Sequence, residues 1–371
     1  MAKIETITIE CVEVRQPIDV FYSGKLGWKE LFDIAYSDIR RIEDETDLYF
    51  GLQRRLSPNR LKQIAKYVSF SDSTFPTSIV LSISTKDENG NSLIESYENG
   101  KLILKKKPNI AKIIDGQHRV FGLKKYIESK GLFLEEFVFD FIVTVFLDMS
   151  PEDEAMVFST INKAQTKVNK SLVYDLFSLS ESRSPQRTCH NIVKFLNEEE
   201  TPFKGKIKRL GTAISNIETI TQATLVESIL KYISREPLVD RDKMIRGNKL
   251  EKVSGNDEKR LFLRNWFIEK EDSKILKILL NYFDAISSKW GNAWFDDSKI
   301  LSKSTGIIAF MRLLKDFVNR YASNKIITEK EFRDILDKVT LSDDDFTNQE
   351  FTSGGVGQSK LYKKLKFDTE L

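Results

Sequence analysis

The pattern of apolar and polar residues divides the chain into a strand-rich first part and a helical second part. Short runs of alternating or β-branched residues in the first 150 positions are typical of strands. Turn residues separate these runs, and the pairs Asn89-Gly90 and Asn99-Gly100 indicate hairpins. Strands are predicted over residues 4–14, 78–84, 92–96, 101–105, 110–114 and 137–147.

Apolar side chains recur every three or four residues in the other segments, which predicts amphipathic helices. Ser57 followed by Pro58 has the form of a helix N-cap and first helical residue, and Pro151 opens another helix with an acidic first turn. GGVGQSK at 354–360 is predicted to be a flexible or capping loop. Helices are predicted over residues 27–43, 58–68, 169–180, 187–199, 219–234, 257–270, 273–290, 303–322 and 328–339, from Pro151, and after Arg119 to about residue 129.

These elements together predict an α+β fold. A chain of 371 residues is long for one domain and suggests two. We expect an α/β domain at residues 1–180 and a mostly helical domain at residues 181–371, with SLSESRSPQR at 178–187 as the linker.

Composition limits the classes of protein to consider. Hydrophobic residues make up 40% of the chain and aromatic residues 11%, which is ample for a core and argues against disorder. The formal net charge is only +3, so DNA binding would have to come from local basic patches.

The cysteines and histidines argue against a zinc site. Cys11 and Cys189 have no spacing pattern, which fits a reducing cytosol, and the two cysteines and two histidines are scattered along the chain. The start of the chain has no basic-then-apolar signal pattern, and no apolar stretch approaches about 20 residues. We therefore expect a cytoplasmic protein without a membrane span.

The pentapeptide Asp115-Gly116-Gln117-His118-Arg119 is the strongest indication of chemistry. It joins a predicted strand to a predicted helix, and a helix N-terminus offers unpaired N–H groups and a positive dipole end to an anion. Gly116 permits a sharp turn, Arg119 offers a two-pronged donor to a phosphate, and His118 can change charge near neutral pH. Asp115 could orient either side chain, hold a metal ion or accept a proton. The alternative is an ordinary Asp-Gly turn with surface His and Arg residues.

The sequence DGQHR, preceded by KII and followed by VFGL, resembles the motif of the DGQHR-domain family. This bacterial and phage group includes DndB, a regulator of DNA phosphorothioation, and DpdB, a component of a 7-deazaguanine DNA-insertion system. The resemblance covers most of residues 50–180 and the C-terminal tail, and it implies a place in DNA modification or anti-phage defence. Three further segments share it: QRRLSPNRLKQIAKYV at 53–68, FSTINKAQTKVNKSLVYDL at 158–176 and GGVGQSKLYKKL at 354–365.

The arrangement is also similar to the ParB/sulfiredoxin-like superfamily, which implies an N-terminal α/β domain whose Gly-containing loop binds nucleotide phosphates. Gln117 stands where the sulfiredoxin-type loop has a reactive cysteine, so thiol redox chemistry is not available there. The resemblance implies Mg²⁺ with a nucleoside triphosphate, with Asp115 as the metal ligand. It implies catalytic roles for Asp115, His118 and Arg119, and nucleotide or phosphate contacts from Gln53, Arg54, Arg55, Gly116, Gln117 and Arg119.

Other polar groups have two interpretations each. Asn162, Gln165 and Asn169 lie near one face, where they either cap helices or contact a base or ribose. Arg60 is predicted to be a helix-surface residue, and His190 a structural one. Short basic runs either form solvated loops or converge into a DNA-binding surface. They lie at 105–107, 241–249, 362–366 and 204–209, where Lys204, Lys206, Lys208 and Arg209 are predicted DNA contacts.

Three functions follow from these observations. The first is a nucleotide-binding, DNA-associated protein of a DNA-modification or defence system, which would act as an ATPase or CTPase if it turns its nucleotide over. The second is a non-enzymatic DNA-binding transcriptional regulator, with the pentapeptide as a turn or as a clamp on DNA phosphate. The third is a ParB-like nuclease, ranked last because the loop lacks a clear cluster of acidic metal ligands. We expect DNA and a nucleotide as partners and allow for a homo-oligomer.

Overall fold

The computed structural model describes residues 5–37, 41–42, 49–50, 56–130, 137–164, 169–176, 182–321 and 325–371. The chain divides into two compact units, Met1–Thr166 and Lys167–Leu371. This division falls before the predicted boundary at residue 180. Part of the predicted linker belongs to a helix, because the Ser184 hydroxyl accepts a hydrogen bond from the Arg187 backbone N–H at 3.1 Å and caps it.

The first unit is built on a mixed β-sheet. Its strands are β1 (Thr6–Arg15), β2 (Val20–Gly27), β3 (Ala35–Tyr36), β4 (Arg41–Ile42), β5 (Tyr49–Phe50), β6 (Ile79–Ile83), β7 (Ile94–Glu98), β8 (Lys101–Lys105), β9 (Ala111–Asp115) and β10 (Asp140–Leu147). Its helices are α1 (Trp28–Ile34), α2 (Pro58–Val68), α3 (Gln117–Lys130) and α4 (Pro151–Ala164). Eight strands form one sheet in the order β3-β9-β6-β10-β2-β1-β8-β7, and β4 pairs with β5 separately.

Alternation of side chains along the central strands gives this sheet two covered faces. Strand β6 runs antiparallel to β9 and parallel to β10. Ile79 and Leu81 of β6 join the larger core with the apolar faces of α1, α2 and α3. Val80 and Ile114 face the other way, into a smaller cluster with α4. The sheet is therefore sandwiched where β6 and β9 meet.

A close helix contact places α2 beside α3. A Cβ atom at Gly122 would lie 2.4 Å from Cγ2 of Ile64, so only glycine allows this approach. The contact brings the first turn of α2 next to the first turn of α3.

Helix α4 is tied to the opposite face of β9 by an ion pair. Lys112 Nζ lies 2.9 Å from Glu154 Oε2, and both side chains are largely buried. With Phe158 and Ile161 packed beside it, this pair fixes the inner face of α4 over the end of β9.

The second unit is mostly helical. Its elements are α5 (Lys170–Leu176), α6 (Pro185–Glu198), β11 (Ile207–Lys208), β12 (Ile220–Thr221), α7 (Gln222–Ile233), α8 (Pro237–Ile245), α9 (Gly255–Arg260), α10 (Arg264–Ile268), α11 (Asp272–Lys289), α12 (Gly291–Phe295), α13 (Ser304–Arg320), α14 (Glu329–Leu336) and α15 (Gly355–Thr369). Its core combines aliphatic and aromatic side chains, and Tyr282, Trp290 and Phe310 are each almost completely buried. No described helix combines the length and the apolar composition needed to cross a bilayer.

The α+β prediction with a helical C-terminal part is confirmed, but some elements differ. The predicted helix 27–43 ends at Ile34, because Ala35 and Tyr36 turn extended and pair with β9. Strand β2 was not predicted. The predicted loop 354–360 is the first half of α15, which is held because Leu361 and Leu365 are buried in the core.

We expect Ile113→Ala to lower the free energy of unfolding of the first unit by about 2–5 kcal/mol, because Ile113 is completely buried in β9 and its loss leaves a cavity. Denaturant unfolding measures this, with the exposed Lys101→Ala in β8 as the control. A loss no larger than that of the control would contradict the central position assigned to β9.

Candidate functional site

A cavity of about 640 Å³ opens within the first unit at the end of β9. Its walls come from four places: the first turn of α2, the start of β6, the Asp115–Arg119 loop and the inner face of α4. Side chains that represent these walls are Arg60, Thr77, His118, Phe158 and Asn162. Four elements far apart in sequence thus meet around the pentapeptide.

Gly116 allows the loop to turn tightly under this cavity. Its φ of +99° is in the region that favours glycine. A Cβ atom there would lie 2.5 Å from Cδ1 of Ile79 and 3.0 Å from Nη2 of Arg119. The Gly116 carbonyl then accepts the first hydrogen bonds of α3, from the N–H groups of Arg119 and Val120.

Arg119 directs its guanidinium back into the protein. Nη1 donates to the carbonyl and hydroxyl oxygens of Thr77, at 2.5 and 2.6 Å. Nη2 donates to the Ser78 carbonyl at 3.0 Å and to Asp115 Oδ2 at 2.9 Å. The side chain is only 18% exposed. Arg119 therefore holds the end of β9 against the start of β6.

His118 links the two helix starts. The backbone N–H of Ser57, the N-cap of α2, donates to His118 Nε2 at 3.2 Å. Because Nε2 accepts this bond, the ring is neutral and carries its proton on Nδ1. Burial, and after it the nearby Arg60 guanidinium, hold the pKa of His118 below its usual value, whereas Asp115 opposes them.

The acid and the amide of the loop both have partners. Asp115 pairs with Arg119, and Gln117 accepts a hydrogen bond from the Ser37 hydroxyl at 2.8 Å. The described part of the chain holds no group of three or more His, Cys, Asp or Glu residues placed to bind a metal ion. Asp115 is a single carboxylate that pairs with Arg119, so Mg²⁺ at this loop would need oxygen atoms of a bound triphosphate among its ligands.

Arg60 is exposed on α2, as predicted, but sequence reasoning did not place it at the site. It lines the cavity in the first turn of α2, beside His118 and Arg119. The positive charge of an arginine near a helix N-terminus is unfavourable beside the positive end of the helix dipole. This unfavourable position is the feature of the sequence that could have identified Arg60 as a functional residue.

The other candidate residues from the segment before α2 and from the asparagine group lie in different parts of the chain. Gln53, Arg54 and Arg55 lie outside the described residues, as does Gln165. Asn162 lines the cavity, and its Nδ2 donates to the Phe158 carbonyl at 2.8 Å. Asn169 caps the start of α5 by accepting from the Ser171 N–H, which agrees with the capping interpretation.

The predicted basic patch in the second unit is partly neutralised. Lys206 is buried, with Nζ 5.3 Å from the Phe295 ring centre, so its prediction as a DNA contact is corrected. Lys204 pairs with Glu200, and Arg209 pairs with Asp175 at 3.0 Å. The prediction for Lys204, Lys208 and Arg209 stays a prediction.

One of three comparisons with known proteins, the match to a family model, agrees with the motif. A family model named DndB and described as DNA-sulfur modification-associated matches residues 10–244, which is more than half of the chain. No curated protein sequence matches. A crystal structure of the C-terminally truncated chromosome-partitioning protein ParB from Caulobacter crescentus, complexed with CTP-gamma-S, is 11% identical over 66% of this chain and 98% of its own. Its TM-score of 0.27 is too low to establish a shared fold.

The neutral His118 gives a testable pH dependence. Because its folded-state pKa is lowered, the stability it contributes is complete above the ordinary histidine pKa of about 6.5 and is lost as the pH falls below that value. We expect the difference in unfolding free energy between the wild type and His118→Gln to shrink between about pH 7 and pH 5. Both proteins keep His190, so its titration cancels. A difference that is constant with pH would contradict the neutral ring.

Proposed function

Because the chain belongs to the DndB family of DNA-sulfur modification-associated proteins, we propose that it is a DNA-associated protein that binds a nucleoside triphosphate at the Asp115–Arg119 loop. The family supports the association with DNA modification. The cavity supports the nucleotide.

The observation that carries this proposal is an open cavity in which positive charge exceeds negative charge at a helix N-terminus. Its volume of about 640 Å³ is that of small-molecule sites. Arg60 and Arg119 both line it, and Asp115 is the carboxylate in its lining. The start of α3 adds the positive end of a helix dipole, which favours phosphate.

The residues of the pentapeptide have separate roles in this proposal. Gly116 and Gln117 bring the backbone close to the phosphates. Arg119 fixes the loop, and its direct contact with phosphate stays part of the proposal. If the nucleotide is hydrolysed, we propose that Asp115 orients the attacking water and that His118 is a second polar group beside it. Mg²⁺ would arrive with the triphosphate and neutralise its charge.

A second candidate function is DNA binding without a nucleotide, as in a transcriptional regulator. Residues 201–270 favour it, with fifteen lysines and arginines against nine aspartates and glutamates. Lys243 and Lys249 are exposed in this segment. A local basic surface of this kind fits DNA phosphates without any base-specific contact.

Calorimetric titration with CTP, ATP and GTP in Mg²⁺ tests the first proposal. We expect one of them to bind in the micromolar range, and the corresponding nucleoside not to bind, because the phosphates provide the attraction. Arg119→Ala should weaken binding and also lower the unfolding free energy by about 2–4 kcal/mol, because it leaves Asp115 unpaired. Full affinity in this variant, or no binding by the wild type, would contradict the proposal.

Salt-dependent DNA binding tests the second. Replacing Lys243 and Lys249 by Gln should lower duplex affinity and reduce the log–log salt slope by about 2, because two phosphate contacts are lost. Lys204→Gln with Lys208→Gln tests the predicted patch in the same way. Lys277→Gln with Lys330→Gln removes two exposed charges outside 201–270 and outside the other basic runs, and serves as the control. An equal loss in the control pair would mean that net charge, not a surface, governs binding.

A further inference from the structure

The geometry points to Arg60, rather than Arg119, as the side chain that makes the main cationic contact with the phosphates. This inference rests on the proposed nucleotide function and assigns its phosphate recognition to a residue of α2. The two guanidinium groups that line the cavity differ in how many hydrogen-bond donors they can offer to a ligand.

Arg119 has few donors left. Its four Nη hydrogens are matched by four hydrogen bonds, to Thr77, Ser78 and Asp115. The two bonds from Nη1 go to Thr77, which is exposed. The two bonds from Nη2 go to the Ser78 carbonyl and to Asp115, which are both half-buried, so releasing either one for a ligand would leave that group without this partner. Such a loss would offset much of what a phosphate contact contributes.

Arg60 has its donors available. Its side chain is exposed, and no described residue forms an ion pair or side-chain hydrogen bond with its guanidinium. Its backbone N–H is already taken by the Ser57 hydroxyl at 3.4 Å, so the position of the residue on α2 is fixed. A guanidinium presented in this way can bind two phosphate oxygens at once.

Among the described residues that line the cavity, none compensates the charge of Arg60. Asp115 is paired with Arg119, and His118 is neutral. The effect of the Arg60 charge reaches both neighbours, since it helps to lower the pKa of His118 and of Arg119. An anion beside Arg60 would relieve these repulsions, which makes the cavity more favourable for a polyphosphate than for a neutral ligand.

The position of Arg60 in its helix is also unfavourable for the empty protein. The first turn of α2 contains no acidic residue and places Arg60 at the positive end of the helix dipole. Helix α4 in the same unit has Glu152, Asp153 and Glu154 in its first turn, as the dipole favours. Where a chain breaks such a local rule, the residue is expected to serve a ligand rather than stability.

Two readouts on three variants separate these roles. Arg60→Gln removes the proposed contact, Arg119→Gln removes the loop clamp, and Lys62→Gln removes a charge from α2 outside the cavity. Thermal unfolding of each protein without ligand, and calorimetric titration with CTP, ATP, GTP and inorganic triphosphate, give stability and affinity separately.

We expect Arg60→Gln to bind the preferred nucleotide and inorganic triphosphate about 10- to 100-fold more weakly, with an unfolding temperature equal to or above that of the wild type. Arg119→Gln should unfold at a lower temperature without ligand, and Lys62→Gln should change neither quantity. If the wild type binds and Arg60→Gln retains its affinity, the inference is overturned while the proposed function stands. If Arg60→Gln is destabilised as Arg119→Gln is, Arg60 is structural and the inference is also wrong. If the wild type binds none of the four probes, the proposed function fails and the inference fails with it.

Discussion

The hydrogen bonds of Arg119 are the interaction on which the site depends. They join the end of β9 to the residues that lead into β6, and through Asp115 they fix the acid of the loop as well. Gly116 has to be a glycine because the Arg119 side chain and Ile79 occupy the space in which a Cβ atom would lie. Packing and hydrogen bonding therefore determine the residues at Asp115, Gly116 and Arg119. The groups available to a ligand are those that remain on the cavity side of the pentapeptide.

That surface combines parts with different origins. The sheet supplies the loop, and α3 supplies a dipole. Helix α2 supplies Arg60, whose guanidinium has no ion-pair partner among the described residues, and α4 closes the far wall through the Lys112–Glu154 pair. Each part is held by contacts that have nothing to do with a ligand. A site built on such rigid elements keeps its geometry when empty, which lowers the cost of ordering it on binding.

Much of this could be predicted from local sequence. The Ser57-Pro58 pair marks the start of α2 because capping is a local interaction, and the strand–loop–helix order around the pentapeptide is visible in the apolar pattern. The partners of Arg119 could not be predicted, because Thr77 and Ser78 are 42 and 41 residues away in the sequence. Local sequence patterns do not indicate contacts over such a separation. The burial of Lys206 was missed for the same reason, since the ring that covers it belongs to Phe295.

The long sequence separations have a consequence for folding. The Ser57–His118 bond spans 61 residues and the Thr77–Arg119 bonds span 42, so the cavity cannot exist until the sheet has paired its central strands and α2 has docked on α3. Contacts of such range form late, because the chain must first close the loops between them. A partly folded chain would therefore have no affinity for the ligand. Only fully folded molecules would then bind the proposed ligand. Binding would therefore shift the folding equilibrium toward the native state by mass action.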